Sequence, residues 1–68
     1  MEAVIKFKDK RYNKGSTSIT LKDTTHKDVF NYLKNHKKEY LRIDIWYDSD
    51  DEKLKIYYSV DDYIDSLN

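Results

Sequence analysis

Four stretches of the chain alternate apolar and polar residues with a period of two: "AVIKFK" (residues 3–8), "STSITLK" (16–22), "YLRIDIWY" (40–47) and "KLKIYYS" (53–59). Successive side chains of a strand point to opposite sides, so this pattern describes half-buried strands that together place one sheet face on a core. The apolar sets are Ala3, Ile5 and Phe7; Thr17, Ile19 and Leu21; Leu41, Ile43, Ile45 and Tyr47; and Leu54, Ile56 and Tyr58. Val4, Lys6, Lys8, Lys10, Tyr12, Thr20, Lys22, Tyr40, Arg42, Asp44, Trp46, Lys55 and Tyr57 are then expected on the opposite face.

Loop chemistry suggests a register for each hairpin. Gly15, the only glycine, can take positive φ without a Cβ clash, which predicts a three-residue loop Asn13-Lys14-Gly15. Tyr12 would then face Ser16, and Phe7 would face Leu21. In "IDIWYDSDDEKLKIYY" (43–58), an even loop of Ser49, Asp50, Asp51 and Glu52 pairs Asp48 with Lys53, Tyr47 with Leu54 and Ile45 with Ile56. Trp46 is then opposite Lys55, and Asp44 opposite Tyr57, both on the non-core side.

Each hairpin leads into a helical pattern. Thr25 and Asp28 have the spacing of a capping box ahead of Val29, Phe30 and Leu33, which predicts about three turns of helix. Its end is basic, with Lys34, His36, Lys37 and Lys38, as suits the negative end of a helix dipole. Ser59 and Asp62 repeat the capping relation ahead of Val60, Tyr63, Ile64 and Leu67. "THKDVFNYL" can be laid over "SVDDYIDSL", a likeness that any two capped amphipathic helices share. The expected fold is α+β, in the order ββαββα. Two β-hairpins form a four-stranded sheet, and one longer helix and a short C-terminal helix pack on one face of a single domain, 1–68.

With no cysteine, neither disulfides nor thiolate metal sites can brace so short a chain, and packing must hold it. The absence fits a reducing cytoplasm. No apolar run approaches the roughly 20 residues of a membrane span, and Met1-Glu2-Ala3 begins no signal-peptide pattern, so a soluble intracellular protein is expected. Charge is balanced overall but not along the chain. Residues 1–42 hold eleven Lys/Arg against five Asp/Glu, and residues 43–68 hold two against eight. The basic half can attract phosphates and the acidic half a basic partner, or each can attract the other.

Catalytic and metal chemistry find little footing. Asp48, Asp50 and Glu52 alternate like calcium ligands, but Lys53 and Ser59 stand where a calcium loop needs glycine and glutamate. His26 and His36 are ten residues apart and do not share a helix face. The Ser and Thr hydroxyls sit in strand and capping positions, and one glycine cannot build a phosphate loop. Neither an enzyme, a cofactor nor a metal is expected.

Trp46 draws attention as an outward tryptophan, the kind of side chain that anchors interfaces, although packing on the Lys55 stem or burial under a helix or second subunit would also account for it. Two functional classes remain. In the first, the chain is a protein-interaction module using Asp44, Trp46, Asp48, Asp50, Asp51, Glu52, Tyr57, Asp61 and Asp62. Those spaced carboxylates, with Asp65, can imitate a phosphate backbone in the basic groove of a nucleic-acid enzyme. In the second, Lys6, Lys8, Lys10, Lys22 and Arg42 meet phosphates while Trp46 and Tyr57 stack on unpaired bases, so that single-stranded nucleic acid is the partner. Zero net charge favours the first class. In its brevity, its richness in Lys, Asp, Tyr and Ile and its lack of cysteine, the chain is similar to small proteins of phages and mobile elements of low-GC bacteria. Those include anti-CRISPR proteins and other inhibitors of host enzymes. The similarity implies an anti-defence role in a host cytoplasm but transfers no residue roles. A homodimer through Trp46 or an unpaired strand edge is the further arrangement to test.

Overall fold

The computed structural model describes residues 1–9, 15–36, 38–48 and 54–67. Its elements are β1 (Glu2–Lys8), β2 (Ser16–Leu21), α1 (His26–Asn35), β3 (Tyr40–Trp46), β4 (Leu54–Tyr57) and α2 (Val60–Ser66), the ββαββα order expected of an α+β domain. The four strands make one antiparallel sheet in the order β2-β1-β3-β4. β2 and β3 flank β1 and therefore run parallel to each other, joined by α1, while β2 and β4 form the two edges.

Both helices start where their capping residues stand. Thr25 Oγ1 accepts the Asp28 N–H at 3.2 Å, and Ser59 Oγ accepts the Asp62 N–H at 3.1 Å, so each hydroxyl satisfies an amide that the first turn leaves unpaired. Val29 and Leu33 of α1 and Tyr63 of α2 close over Ala3, Ile5, Ile43 and Ile45. Tyr63 is the largest fully buried side chain. Between the helices and the end of the sheet, its hydroxyl and that of Tyr47 take the two ring nitrogens of His26, at 2.8 Å from Nδ1 and 3.2 Å from Nε2. His26 is thereby the polar joint between α1, α2 and the residue that follows β3.

Three local expectations differ from the structure. β2 pairs Ala3 with Leu21, Ile5 with Ile19 and Phe7 with Thr17, so Phe7 does not face Leu21. The displacement is four residues, an even number, and it keeps every side chain on its expected face; the apolar pattern cannot detect it. The Asp9 N–H donates to the Gly15 carbonyl at 3.0 Å; Gly15 takes the positive φ expected of it, 73°, but stands paired with Asp9 at the end of the β1–β2 ladder and not within a three-residue loop. Tyr12 and the rest of the proposed loop lie outside the described residues.

The second difference is at the β1–β3 pairing, where Lys6 is opposite Arg42 but Phe7 is opposite Tyr40. The extra residue, Leu41, makes a bulge, and the bulge rotates Tyr40 onto the side of Phe7, whose ring it meets edge-on at 6.3 Å. Tyr40 thus packs against the core cluster instead of facing outward.

The third has the largest consequence. β4 pairs Ile43 with Tyr57, Asp44 with Ile56, Ile45 with Lys55 and Trp46 with Leu54, one residue out of the expected register. An odd slip exchanges the faces of the whole strand. Tyr57 turns inward and meets the ring of Tyr63 edge-on at 5.3 Å, which is the physical reason the slip is favoured: α2 begins just after β4, and its buried tyrosine offers an aromatic partner on the inner side. Leu54, Ile56 and Tyr58, expected in the core, are exposed. The proposed turn at Ser49, Asp50, Asp51 and Glu52, and the Asp48–Lys53 pair, lie outside the described residues.

Candidate functional site

Since both helices pack on the inner face, the outer face of the sheet has no layer over it among the described residues. Cross-strand pairing sets its rows. Ser18, Lys6 and Arg42 form one; Thr20, Val4, Asp44 and Ile56 the next; Glu2, Trp46 and Leu54 the third. Composition changes across these rows, from hydroxyls and lysine on β2 and β1 to large apolar side chains on β3 and β4. Five large hydrophobic residues are exposed among the described residues: Trp46 at 43%, Leu54 at 38%, Ile56 at 37%, Tyr58 at 69% and Leu67 at 38%. All but Leu67 belong to the β3–β4 end of this one face, so they form a patch instead of scattered surface residues.

A charged pair borders the patch. Arg42 donates from Nε to Asp44 Oδ1 at 2.6 Å and from Nη2 to Oδ2 at 2.8 Å, a two-pronged contact that holds both side chains flat along β3. This hydrogen bonding and the Asp44 charge raise the pKa of Arg42, and Tyr58 adds a smaller contribution in the same direction. Glu2 lies across from Trp46 on the other flank.

The residues singled out for a protein-binding role are only partly brought together. Asp44 and Trp46 share the outer face, but Tyr57 is on the inner face. Asp48 sits 3.3 Å from the Met1 amino group with its side chain 92% exposed. Asp61 and Asp62 are exposed in the first turn of α2, on the helical side of the sheet, away from Asp44. Asp50, Asp51 and Glu52 lie outside the described residues. Of the residues singled out for nucleic acid, Lys6 is exposed on the outer face and Lys22 is exposed just past β2. Arg42 is engaged by Asp44, Lys8 is paired with Glu39 at 3.1 Å, and Lys10 lies outside the described residues.

Sequence reasoning missed Leu54, Ile56 and Tyr58 as surface residues. The signal was ambiguous, because "KLKIYY" ends in two tyrosines and either parity closes on an aromatic ring. Grooves among the described residues include an apolar one of about 200 Å³ between α1 and α2, lined by Phe30, Leu33, Val60 and Ile64, and a mixed one of about 460 Å³ between β2 and α1. No cluster of side chains suited to a metal ion occurs among the described residues, and no helix there is long and apolar enough to cross a membrane. Comparison with known proteins finds no matching family model, no similar curated protein and no solved structure with a matching fold.

Proposed function

We propose that this chain is a protein-interaction module, not an enzyme, and that it binds its partner through the outer face of β3 and β4 with Trp46 at the centre. The observation that carries this reading is the gathering of Trp46, Leu54, Ile56 and Tyr58 on one open sheet face. Tryptophan and tyrosine in an apolar patch rimmed by charges have the composition of an interface hot spot. The Arg42–Asp44 pair and Glu2 supply the polar rim.

Inhibition of a host nucleic-acid enzyme by acidic mimicry is the finer form of this proposal. Its support is the acidity of residues 43–68. Because Asp44 is neutralised by Arg42 and Asp61 and Asp62 lie on the other layer, the apolar face is the stronger part of the reading.

The test is affinity capture from the native host with wild type, Trp46→Ala, and Asp61→Asn combined with Asp62→Asn. Hot-spot truncations cost about 2 kcal/mol or more, so Trp46→Ala should weaken the complex by roughly 30-fold while the helix variant retains it. Loss of the partner only with the acid substitutions would replace the apolar face by mimicry. Binding of single-stranded DNA or RNA that falls steeply with salt would replace both with the nucleic-acid reading, since phosphate contacts release counterions.

A further inference from the structure

A second binding feature lies at the opposite edge of the sheet and does not depend on the outer-face reading. β2 is an edge strand of six residues, "STSITL", with neither a charge nor a proline. Natural sheets guard such edges with lysine, proline or brevity; β4, the other edge, is four residues long and carries Lys55. The direction of the free backbone groups follows from the pairing. The Asp9 N–H donates to the Gly15 carbonyl directly opposite, which makes Asp9 and Gly15 a hydrogen-bonded pair. Such pairs alternate along antiparallel strands, so Thr17, Ile19 and Leu21 turn their backbone groups toward β1. The amides and carbonyls of Ser16, Ser18 and Thr20 therefore point out of the edge, where no strand pairs with them among the described residues.

Beside the C-terminal half of this edge lies the groove of about 460 Å³, between β2 and α1. Lys22, Asp23, Asp28, Asn31, Tyr32 and Asn35 line it. Asp23 and Asp28 have no cationic partner among the described residues, and α1 presents two side-chain amides along the same wall. Asp23, at φ of 50°, is where the chain leaves β2 to begin α1, and this reversal shapes the end of the groove.

We propose that β2 and this groove form a site for an extended peptide segment of a protein partner. The segment adds as a fifth strand along Ser16, Ser18 and Thr20, and an arginine or lysine side chain drops between Asp23 and Asp28. Two complementarities define the occupant. The outward amides and carbonyls require an extended main chain, and the period of two sends alternate peptide side chains to the groove side. The unpaired carboxylates then select a basic residue at that position. A volume of this size holds a long side chain and leaves room for bridging water.

The probe is a display library of random ten-residue peptides, followed by synthesis of the strongest binder. The expected selection is rich in β-branched residues with Arg or Lys at alternating positions. On adding the synthetic peptide to labelled protein, the amides of Ser16, Ser18 and Thr20 should gain protection from hydrogen exchange while those of β4 do not change. N-methylation of alternate peptide amides, which leaves the protein untouched, should abolish binding. Asp28→Asn, which preserves the amide that Thr25 caps, should weaken it by about 2- to 5-fold, the range of an exposed ion pair. Any of three results would overturn the proposal: selection of acidic peptides, protection at Trp46 and β4 instead of β2, or unchanged affinity after N-methylation. A concentration-dependent dimer that protects Ser16, Ser18 and Thr20 without peptide would also overturn it, by making a second copy of the chain the occupant.

Discussion

Ile45 and Ile56 would be cross-strand partners on the core face if β4 followed the register that its loop and apolar residues suggest, and truncating either to alanine would then cost the same. In the structure they face opposite ways: Ile45 is fully buried and Ile56 is 37% exposed. Truncating a fully buried isoleucine costs about 2–5 kcal/mol, the transfer term plus the cavity left behind. For Ile56, burial is roughly two-thirds complete, so of the about 1.5–3 kcal/mol for a fully buried side chain some 1–2 kcal/mol is at stake. Alanine retains part of that and an open surface leaves no cavity, which brings the expected cost to about 1 kcal/mol. A domain of this length has a total stability on the order of 3–10 kcal/mol, so Ile45→Ala should bring it near unfolding while Ile56→Ala lowers the melting temperature by about 4–8 °C. Urea titration followed by far-UV circular dichroism measures both, with Tyr57→Ala as the internal control. That variant loses the edge-on contact with Tyr63 and should cost more than Ile56→Ala. Equal losses above about 3 kcal/mol for Ile45→Ala and Ile56→Ala, with Tyr57→Ala silent, would return β4 to the other register and remove the apolar patch from the surface.

Alkaline conditions provide an independent check on the core. Burial raises the pKa of Tyr63 far above the ordinary value near 10, helped by Tyr47 and Tyr57, and burial with Tyr32 raises that of Tyr40. The neutral form is favoured in the folded state, so this stability is intact below pH 10 and declines above it as the unfolded chain alone releases the protons. For Tyr63, whose shift is large, the slope approaches about 1.4 kcal/mol per pH unit. Urea midpoints measured from pH 8 to 11 should fall, and Tyr63→Phe should flatten the decline. At neutral pH the same variant removes the hydroxyl that lies 2.8 Å from His26 Nδ1 and should cost about 1 kcal/mol in a urea titration. Thr25→Ala and Ser59→Ala each remove a cap and should each cost about 1 kcal/mol; a thermal shift under 2 °C for both would show that the hydroxyls are dispensable.

Features governed by neighbouring residues were legible in the chain. The caps at Thr25 and Ser59, the apolar sets of β1 and β2 and the inward faces of Ile43 and Ile45 rest on contacts within a turn or on strict alternation, and all are found as read. Less was visible of the candidate site. Trp46 faces out as expected, but its companions on that face are Leu54, Ile56 and Tyr58 rather than Lys55 and Tyr57. The β2 edge was hidden for a different reason: its six residues read equally well as a central or an edge strand, and only the placement of β3 against β1 shows which side is left unpaired.

By itself, then, the sequence determined where the strands and helices begin and which residues of β1, β2 and the centre of β3 face inward, because periodicity and capping are local and each offers one good solution. The tertiary structure alone decided the strand order, the four-residue displacement of β2, the bulge that turns Tyr40 inward and the one-residue slip of β4. Each of these is a choice between arrangements that satisfy the local pattern almost equally. Long-range packing breaks the tie, and for β4 the deciding contact is the ring of Tyr63, which draws Tyr57 inward and leaves Trp46, Leu54, Ile56 and Tyr58 facing out together.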